Sequence, residues 1–282
     1  MQKRDKSSNK DQSNNLYKEI FSRNSGLIDE TEQSLLRRST VAIAGVGGVG
    51  GLLAERLIRI GIGRLKITDP GNFEKSNFNR QFGSSMVTLD HNKAEAVYEQ
   101  LKDINPMAKI EYNTTGIKTE ADAITYVHDC DLVIDGMDFG MFKQSIWLQR
   151  TARQSGIYYL FAYAIGFGAM VVSFAPQGMT LEEYDNLPPN VDLTNIKEIQ
   201  VPLERAMPVI PSYAPVTMYK ALQEFYNGAR TLPAMSIGVG MASILAANEV
   251  INIILHKREI VAAPRYTYID LLDQKFIIGK IS

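Results

Sequence analysis

The stretch VAIAGVGGVGG, residues 41–51, constrains the fold more than any other part of the chain. Apolar residues run up to Gly45, glycines then fill five of seven positions, and LLAERLIRIGI continues at helical spacing. This reads as a buried strand, a tight turn and an amphipathic helix, the opening of a βαβ unit. Gly45, Gly47, Gly48 and Gly50 let the backbone approach a phosphate group, and the helix N-terminus offers unpaired N–H groups to it. The pattern satisfies G-x-G-x-x-G, which taken alone points to NAD. Residues downstream must decide which nucleotide it holds.

The rest of the first half keeps the same alternation. Residues 16–38 have helical spacing, RLKITD reads as a second strand ending at Asp69, and Asn92 to Ile104 reads as a helix stopped by Asn105-Pro106. AKIEYNTTG, ADAITYVHD, DLVIDGMD and FKQSIWLQRTARQSG follow as strand, helix, strand and helix, the last closed by Gly156. IYYLFAYAIG and GAMVVSFAP are two more strands. The predicted fold class is α/β, a doubly wound, mainly parallel Rossmann-like sheet with a C-terminal antiparallel extension. Residues 1–15 read as a disordered tail and 16–177 as the nucleotide-binding region. Residues 178–282 supply an irregular crossover, packing helices and a terminal hairpin, YTYIDLLDQKFIIGKI, of the same domain. The irregular part, 178–215, is rich in proline and long enough to expect a functional role. Its PVIPSYAP segment is a candidate lining for an acceptor channel.

Composition excludes several classes. The formal charge of −1 argues against a nucleic-acid partner. A single cysteine, Cys130, rules out an internal disulfide framework and any multi-cysteine zinc site, so no zinc is expected. The most membrane-like segment, residues 232–257, is interrupted by Asn248 and Glu249 and carries small residues. It reads as a buried core or dimer helix, with no membrane contact expected and the cytoplasm as the default location. His91, His128 and His256 are scattered and receive no catalytic role. Tyr159, Phe161 and Tyr163 share one strand face and read as packing. Asp135 reads as structural, a tie for the glycine turn.

Asp69 follows Gly45 by 24 residues, where a carboxylate can accept hydrogen bonds from ribose hydroxyls, a feature NAD and ATP share. The loop beyond it separates the two. SNFNRQ places Asn77, Asn79, Arg80 and Gln81 past the strand end, and Lys93 opens the next helix. Hydride transfer has little use for an Arg and a Lys converging on phosphates. A triphosphate losing pyrophosphate does, because charge must be neutralised as it develops. Asp138, just beyond the fourth strand, is then a candidate Mg²⁺ ligand.

GVGGVGG, the TDP containing Asp69, SNFNRQF, the HNKAEA containing Lys93, INP and DLVIDGMD occur in the order of the ThiF/MoeB/HesA family, which the chain resembles over roughly residues 17–176. These are adenylyltransferases similar to the ubiquitin-activating enzymes. The resemblance implies ATP and Mg²⁺ as cofactors and adenylation of a carboxylate with release of pyrophosphate. It implies phosphate contact at Gly48 within the glycine turn and ribose contact at Asp69. Asn77, Arg80 and Lys93 would hold the triphosphate with Asn79 and Gln81 alongside, and Asp138 would bind Mg²⁺. It further implies a homodimer in which an arginine near the N-terminus, Arg23 in FSRNSGL, serves the neighbouring subunit.

The departures from the family pattern are specific. The two CxxC pairs of many members are missing, and Cys130 lies at the wrong end of its strand to take a thioester. Gly71 stands where an acidic residue is common, and Phe139 replaces the usual Asn after Asp138. The acceptor expected is the C-terminus of a ubiquitin-like sulfur carrier or of a precursor peptide. A carboxylate on a modified tRNA base is an alternative within the family, and an NAD-dependent oxidoreductase is the alternative outside it.

Overall fold

The computed structural model describes residues 14–193, 196, 201–214, 220, 221, 224, 225 and 232–281. Most of the expected N-terminal tail and parts of the irregular crossover lie outside these residues, as do parts of the first of the two helical segments expected after it.

Eight strands form one sheet in the order β3-β2-β1-β4-β5-β6-β7-β8. β1 (Thr40–Ala44), β2 (Arg64–Thr68), β3 (Lys109–Asn113), β4 (Leu132–Asp135) and β5 (Tyr158–Ile165) are parallel neighbours. β6 (Gly168–Phe174), β7 (Arg265–Asp270) and β8 (Lys275–Lys280) continue the sheet antiparallel. The chain winds from β1 outward to β3, then returns to place β4 on the other side of β1. The carboxyl ends of β1 and β4 therefore flank the crevice where ligands gather in such sheets.

The parallel pairing explains why β1 has no polar face. All five of its residues are buried, with Val41 and Ile43 in one core cluster and Ala42 and Ala44 in the other. The first face is covered by α3 (Gly48–Ile60), α4 (Lys93–Ile104) and the long C-terminal helix α9 (Ser236–Leu255). The second is covered by α5 (Glu120–Val127) and α6 (Phe142–Gln154). Residues 16–38 are not one helix. They form α1 (residues 14–20), a short 3-10 turn (Ser22–Asn24) and α2 (Glu30–Arg38). Gly26, at φ +93°, breaks the run, and Asp29 restarts it with a capping box to Glu32. Gly156, at φ +71°, follows α6 as expected.

α9 is long and apolar enough to cross a membrane by composition. It instead packs on α3, β5 and β6, burying Val239, Ala242, Ala246 and Val250 in the core. Gly238 makes this close approach possible, since a Cβ there would stand 2.4 Å from the carbonyl oxygen of Gly166. Glu249, buried in the helix, is paired with Arg258. Gly238, Ala242 and Ala246 thus serve core packing.

Candidate functional site

Gly45, at φ +88°, ends β1 in a conformation that L side chains rarely adopt, and its N–H still donates to the carbonyl of Thr68 at 2.8 Å. A Cβ on Gly45 would lie 2.4 Å from the oxygen of Gly136, so the turn is pressed against the loop after β4. α3 then starts at Gly48 with Gly47 as its N-cap and no side chain capping it. Its first-turn N–H groups face the crevice with their dipole end forward, an anion-binding arrangement.

The residue bracing this turn is Asp69, not Asp135 as the sequence suggested. One Asp69 oxygen accepts the Val46 N–H at 3.0 Å and the other accepts the Gly71 N–H at 2.8 Å. Burial pushes the Asp69 carboxyl above its ordinary range, opposed by the Gly71 N–H, the Lys93 charge and the Val46 N–H, while Asp138 raises it further. Each oxygen keeps a second lone pair for a ribose hydroxyl. Asp135 instead accepts from the Met137 N–H at 2.9 Å and from the Tyr159 hydroxyl at 2.6 Å, so it is structural but fixes the loop after β4.

Asn92 was not singled out in the sequence, yet it sets the geometry of Lys93. Its side-chain oxygen caps α4 by accepting from Ala94 and Glu95, and its amide nitrogen donates to the carbonyls of Asp69 and Gly71. This ties the start of α4 to the end of β2 and keeps the Lys93 ammonium beside Gly71, where a Cβ would stand 3.5 Å from it. The common acidic side chain at position 71 would compete for that space. Asn92→Ala is expected to cost about 1–2 kcal/mol of stability, checked as a shift in urea midpoint at unchanged m-value.

A cleft of about 530 Å³ opens above these elements. Gly48, Asn77, Arg80, Gln81, Lys93 and Asp138 all line it. Arg80 is held through one guanidinium nitrogen, which donates to the Ser76 carbonyl and the Asn79 side chain at 2.9 Å each. Its other N–H groups point away from that local tie. Gln81 also lines the cleft, but its side-chain oxygen is buried and has no hydrogen-bond partner among the described residues. Asn77 is buried and occupied locally, accepting the Glu74 N–H at 2.9 Å. Gly45, Gly47, Gly50, Asp69 and Asn79 are not among the residues that line the cleft. Asn79 donates across the opening to the carbonyl of Ala234 at 3.0 Å, which joins the loop to the approach of α9. That approach, with Leu232, Pro233 and Val239, forms a wall the sequence did not reveal. Arg23 is exposed in its 3-10 turn and lines no part of the cleft of its own chain.

A second, smaller cavity of about 100 Å³ lies behind Asp138 and Phe139, which line both spaces. Phe139 therefore serves as a wall of both spaces. The cavity is reached by α6, by β5, by α7 (Leu181–Tyr184) with the following Asp185, and by α8 (Leu203–Ala206). Phe161 and Tyr163 stack on its β5 side, so their packing role extends to a cavity wall. Asp185 is 5% exposed, and burial with the neighbouring Glu182 carboxylate pushes its pKa to about 7 against the opposing charge of Arg205. The acid thus holds its proton in the folded chain over a range where the unfolded chain has lost it. The contribution of Asp185 to stability should fall as pH rises from about 4 to about 7. Asp185→Asn should remove that slope and gain roughly 2–3 kcal/mol at pH 8, with no gain at pH 4, measured by urea titration.

In PVIPSYAP, Ser212 donates its N–H and hydroxyl to Asp273, and the Tyr213 hydroxyl accepts the Phe167 N–H while donating to Asp270. Ser212 and Tyr213 therefore latch the irregular region to the β7–β8 turn, and neither is among the residues lining the two cavities described above. Cys130 is buried ahead of β4, away from the cleft, and burial pushes its thiol up to about 11.

Comparisons with known proteins bear on the family and the fold. The chain is 33% identical over 123 residues to a tRNA threonylcarbamoyladenosine dehydratase of Bacillus subtilis, covering 44% of this chain and 48% of that one. It is 38% identical over 104 residues to ubiquitin-like modifier-activating enzyme 5 of Caenorhabditis elegans, covering 36% and 24%. These matches span about half or less of the relatives' own length. Among solved structures, Escherichia coli MccB with ATP superposes with a TM-score of 0.65 at 18% identity, covering 89% of this chain and 66% of that chain. The microcin C7 biosynthetic enzyme MccB with N-formylated MccA gives 0.67 at 18%, covering 89% and 67%. These structural likenesses speak to the fold. The family model described as the ThiF family matches residues 21–281, and the chain belongs to that family.

Proposed function

We propose that this chain is an ATP-dependent adenylyltransferase acting on a carboxylate. The observation that carries the reading is the joint placement of Arg80, Lys93, Asp138 and the uncapped start of α3 around one cleft at the sheet's switch point. Gly48, in the cleft lining, would hold the phosphates of ATP, and Asp69, beside the glycine turn, would accept from its ribose hydroxyls. A carboxylate oxygen of the acceptor attacks the α-phosphorus, the bond to the bridging oxygen of pyrophosphate breaks, and the products are an acyl-adenylate and pyrophosphate. Arg80 and Lys93 neutralise the charge that develops on the leaving group.

Mg²⁺ fits this site in one way. Among the described residues no three His, Cys, Asp or Glu side chains cluster as a metal cage. A single cleft carboxylate, Asp138, suffices for an ion whose other ligands are phosphate oxygens and water. When bound, the ion would supply further neutralisation of phosphate charge.

The acceptor is the C-terminus of a precursor peptide or of a small carrier protein, consistent with the peptide bound by MccB and the activating role named for the nematode relative. The dehydratase relative supports a second reading, activation of a carboxylate on a modified tRNA base by the same chemistry. We place the active protein in the cytoplasm as a homodimer, with Arg23 serving the neighbouring subunit. Its exposure leaves it available for that contact.

ATP–pyrophosphate exchange with candidate acceptors tests the reading. Exchange dependent on one acceptor class supports it, whereas tight NAD binding without ATP binding overturns it. Cys130→Ala should retain wild-type exchange. Iodoacetamide should label Cys130 slowly in the folded protein at pH 8 and rapidly in urea, since the raised pKa and burial both suppress the thiolate.

A further inference from the structure

The small cavity behind Asp138 and Phe139 has a chemistry that adenylation itself does not use. Asp185 projects into its lining with no hydrogen-bond or ion-pair partner for its carboxylate among the described residues, although the residue is 5% exposed. Asp135, also in the lining and buried, contributes a second carboxylate, one oxygen held by the Tyr159 hydroxyl and the other by the Met137 N–H. Arg205 is the nearby cation, but its guanidinium donates to the Tyr184 carbonyl at 3.4 Å and forms no ion pair with Asp185. Phe139, Phe142, Phe161 and Tyr163 supply the apolar walls. The Tyr184 hydroxyl is buried without a partner in the same lining residue set.

Buried carboxylates are retained when something pairs with them. An unpartnered buried carboxylate, Asp185, beside a second, hydrogen-bonded one and enclosed by aromatic faces favours a cation, which gains both an ion pair and attraction to the ring quadrupoles. The volume, about 100 Å³, holds an ammonium on a short alkyl stem. Asp138, Phe139, Ala162 and Tyr163 line both cavities, so a group here sits one wall away from a carboxylate in the cleft. We propose that this cavity is the acceptor-selecting subsite and takes a protonated primary amine on the acceptor's terminal residue, with Asp185 as its ion-pair partner. The placement of the acceptor rests on the adenylation reading, while the affinity of the pocket for an amine does not.

Two ligand series on the full chain test this. The first compares n-butylammonium with n-butanol by NMR of the aromatic resonances at pH 8, up to about 100 mM, a range suited to a five-atom fragment. Saturable binding of the ammonium, at least tenfold weaker for butanol and lost in Asp185→Asn, is expected. The second uses peptides identical except for a final Lys, norleucine or Glu, measured by calorimetry with ATP present. The Lys peptide should bind at least tenfold tighter than the others, and Asp185→Asn should reduce it to the norleucine level. Equal binding of ammonium and butanol by wild type overturns the proposal without reliance on any variant. So does a Lys preference that survives in Asp185→Asn, or no saturable ammonium binding. ATP binding measured on the same samples separates the two failures: amine binding without ATP binding sinks adenylation alone, and the converse sinks the amine subsite alone.

Discussion

Gly45→Ala is expected to leave little folded protein. The residue sits at φ +88°, and its new Cβ would lie 2.4 Å from the oxygen, 2.6 Å from the carbon and 2.7 Å from the nitrogen of the Gly136–Met137 peptide. All three contacts are backbone, so no side chain can swing aside. Relief requires moving the end of β1 away from the loop after β4, which are the two edges of the crevice. Left-handed backbone strain contributes roughly 1–3 kcal/mol and overpacking a similar amount, which together approach the whole stability of many domains. Urea denaturation should show a loss of about 4 kcal/mol or more, or no cooperative transition. Gly26→Ala serves as the control, since its added Cβ meets nothing within 4 Å and only the positive φ is penalised. A Gly45→Ala protein as stable as Gly26→Ala would show that the turn is not pressed against Gly136.

Arg80→Ala and Asp138→Ala should each lower acceptor-dependent ATP–pyrophosphate exchange by about 10²–10³-fold while leaving the urea midpoint nearly unchanged. The separation follows from where these side chains stand. Among the described residues Arg80 is tied to Ser76 and its own neighbour Asn79, and Asp138 is exposed between two cavities. Neither belongs to a core cluster. The defect should fall mainly on kcat if Arg80 acts on the developing charge of pyrophosphate, and on KM if it only anchors ATP. Loss of less than threefold in both variants would remove them from the chemistry.

The sheet was legible because each of its signals is local. Val41 to Ala44 is an apolar run, Gly45 is the only kind of residue that ends it at that φ, and the glycines and prolines punctuate the later elements. The charged residues around the cleft were legible for a different reason, since strand order in a doubly wound sheet carries every strand's carboxyl end to one side. What escaped was anything depending on contact between distant segments. Asp69 and Asp135 both end parallel strands, and nothing in the chain says which one reaches the Val46 N–H. Asn92 gave no signal beyond opening a helix, because its second pair of bonds goes to residues 69 and 71. Asp185 sits in a stretch without periodicity, so its burial could not be read from pattern at all.

The two bonds made by Asp69 have a consequence for how such a site can change. The carboxylate proposed to identify the sugar is also the strut that sets the reach of the phosphate turn through the Val46 N–H. Replacing it by Ala would loosen sugar recognition and phosphate placement in one step, and by Asn would turn an amide hydrogen toward an N–H on at least one side. Drift toward a different nucleoside therefore cannot proceed through this position one property at a time. It would first need another brace for the turn, so tolerance at the sugar end is limited by geometry required at the phosphate end.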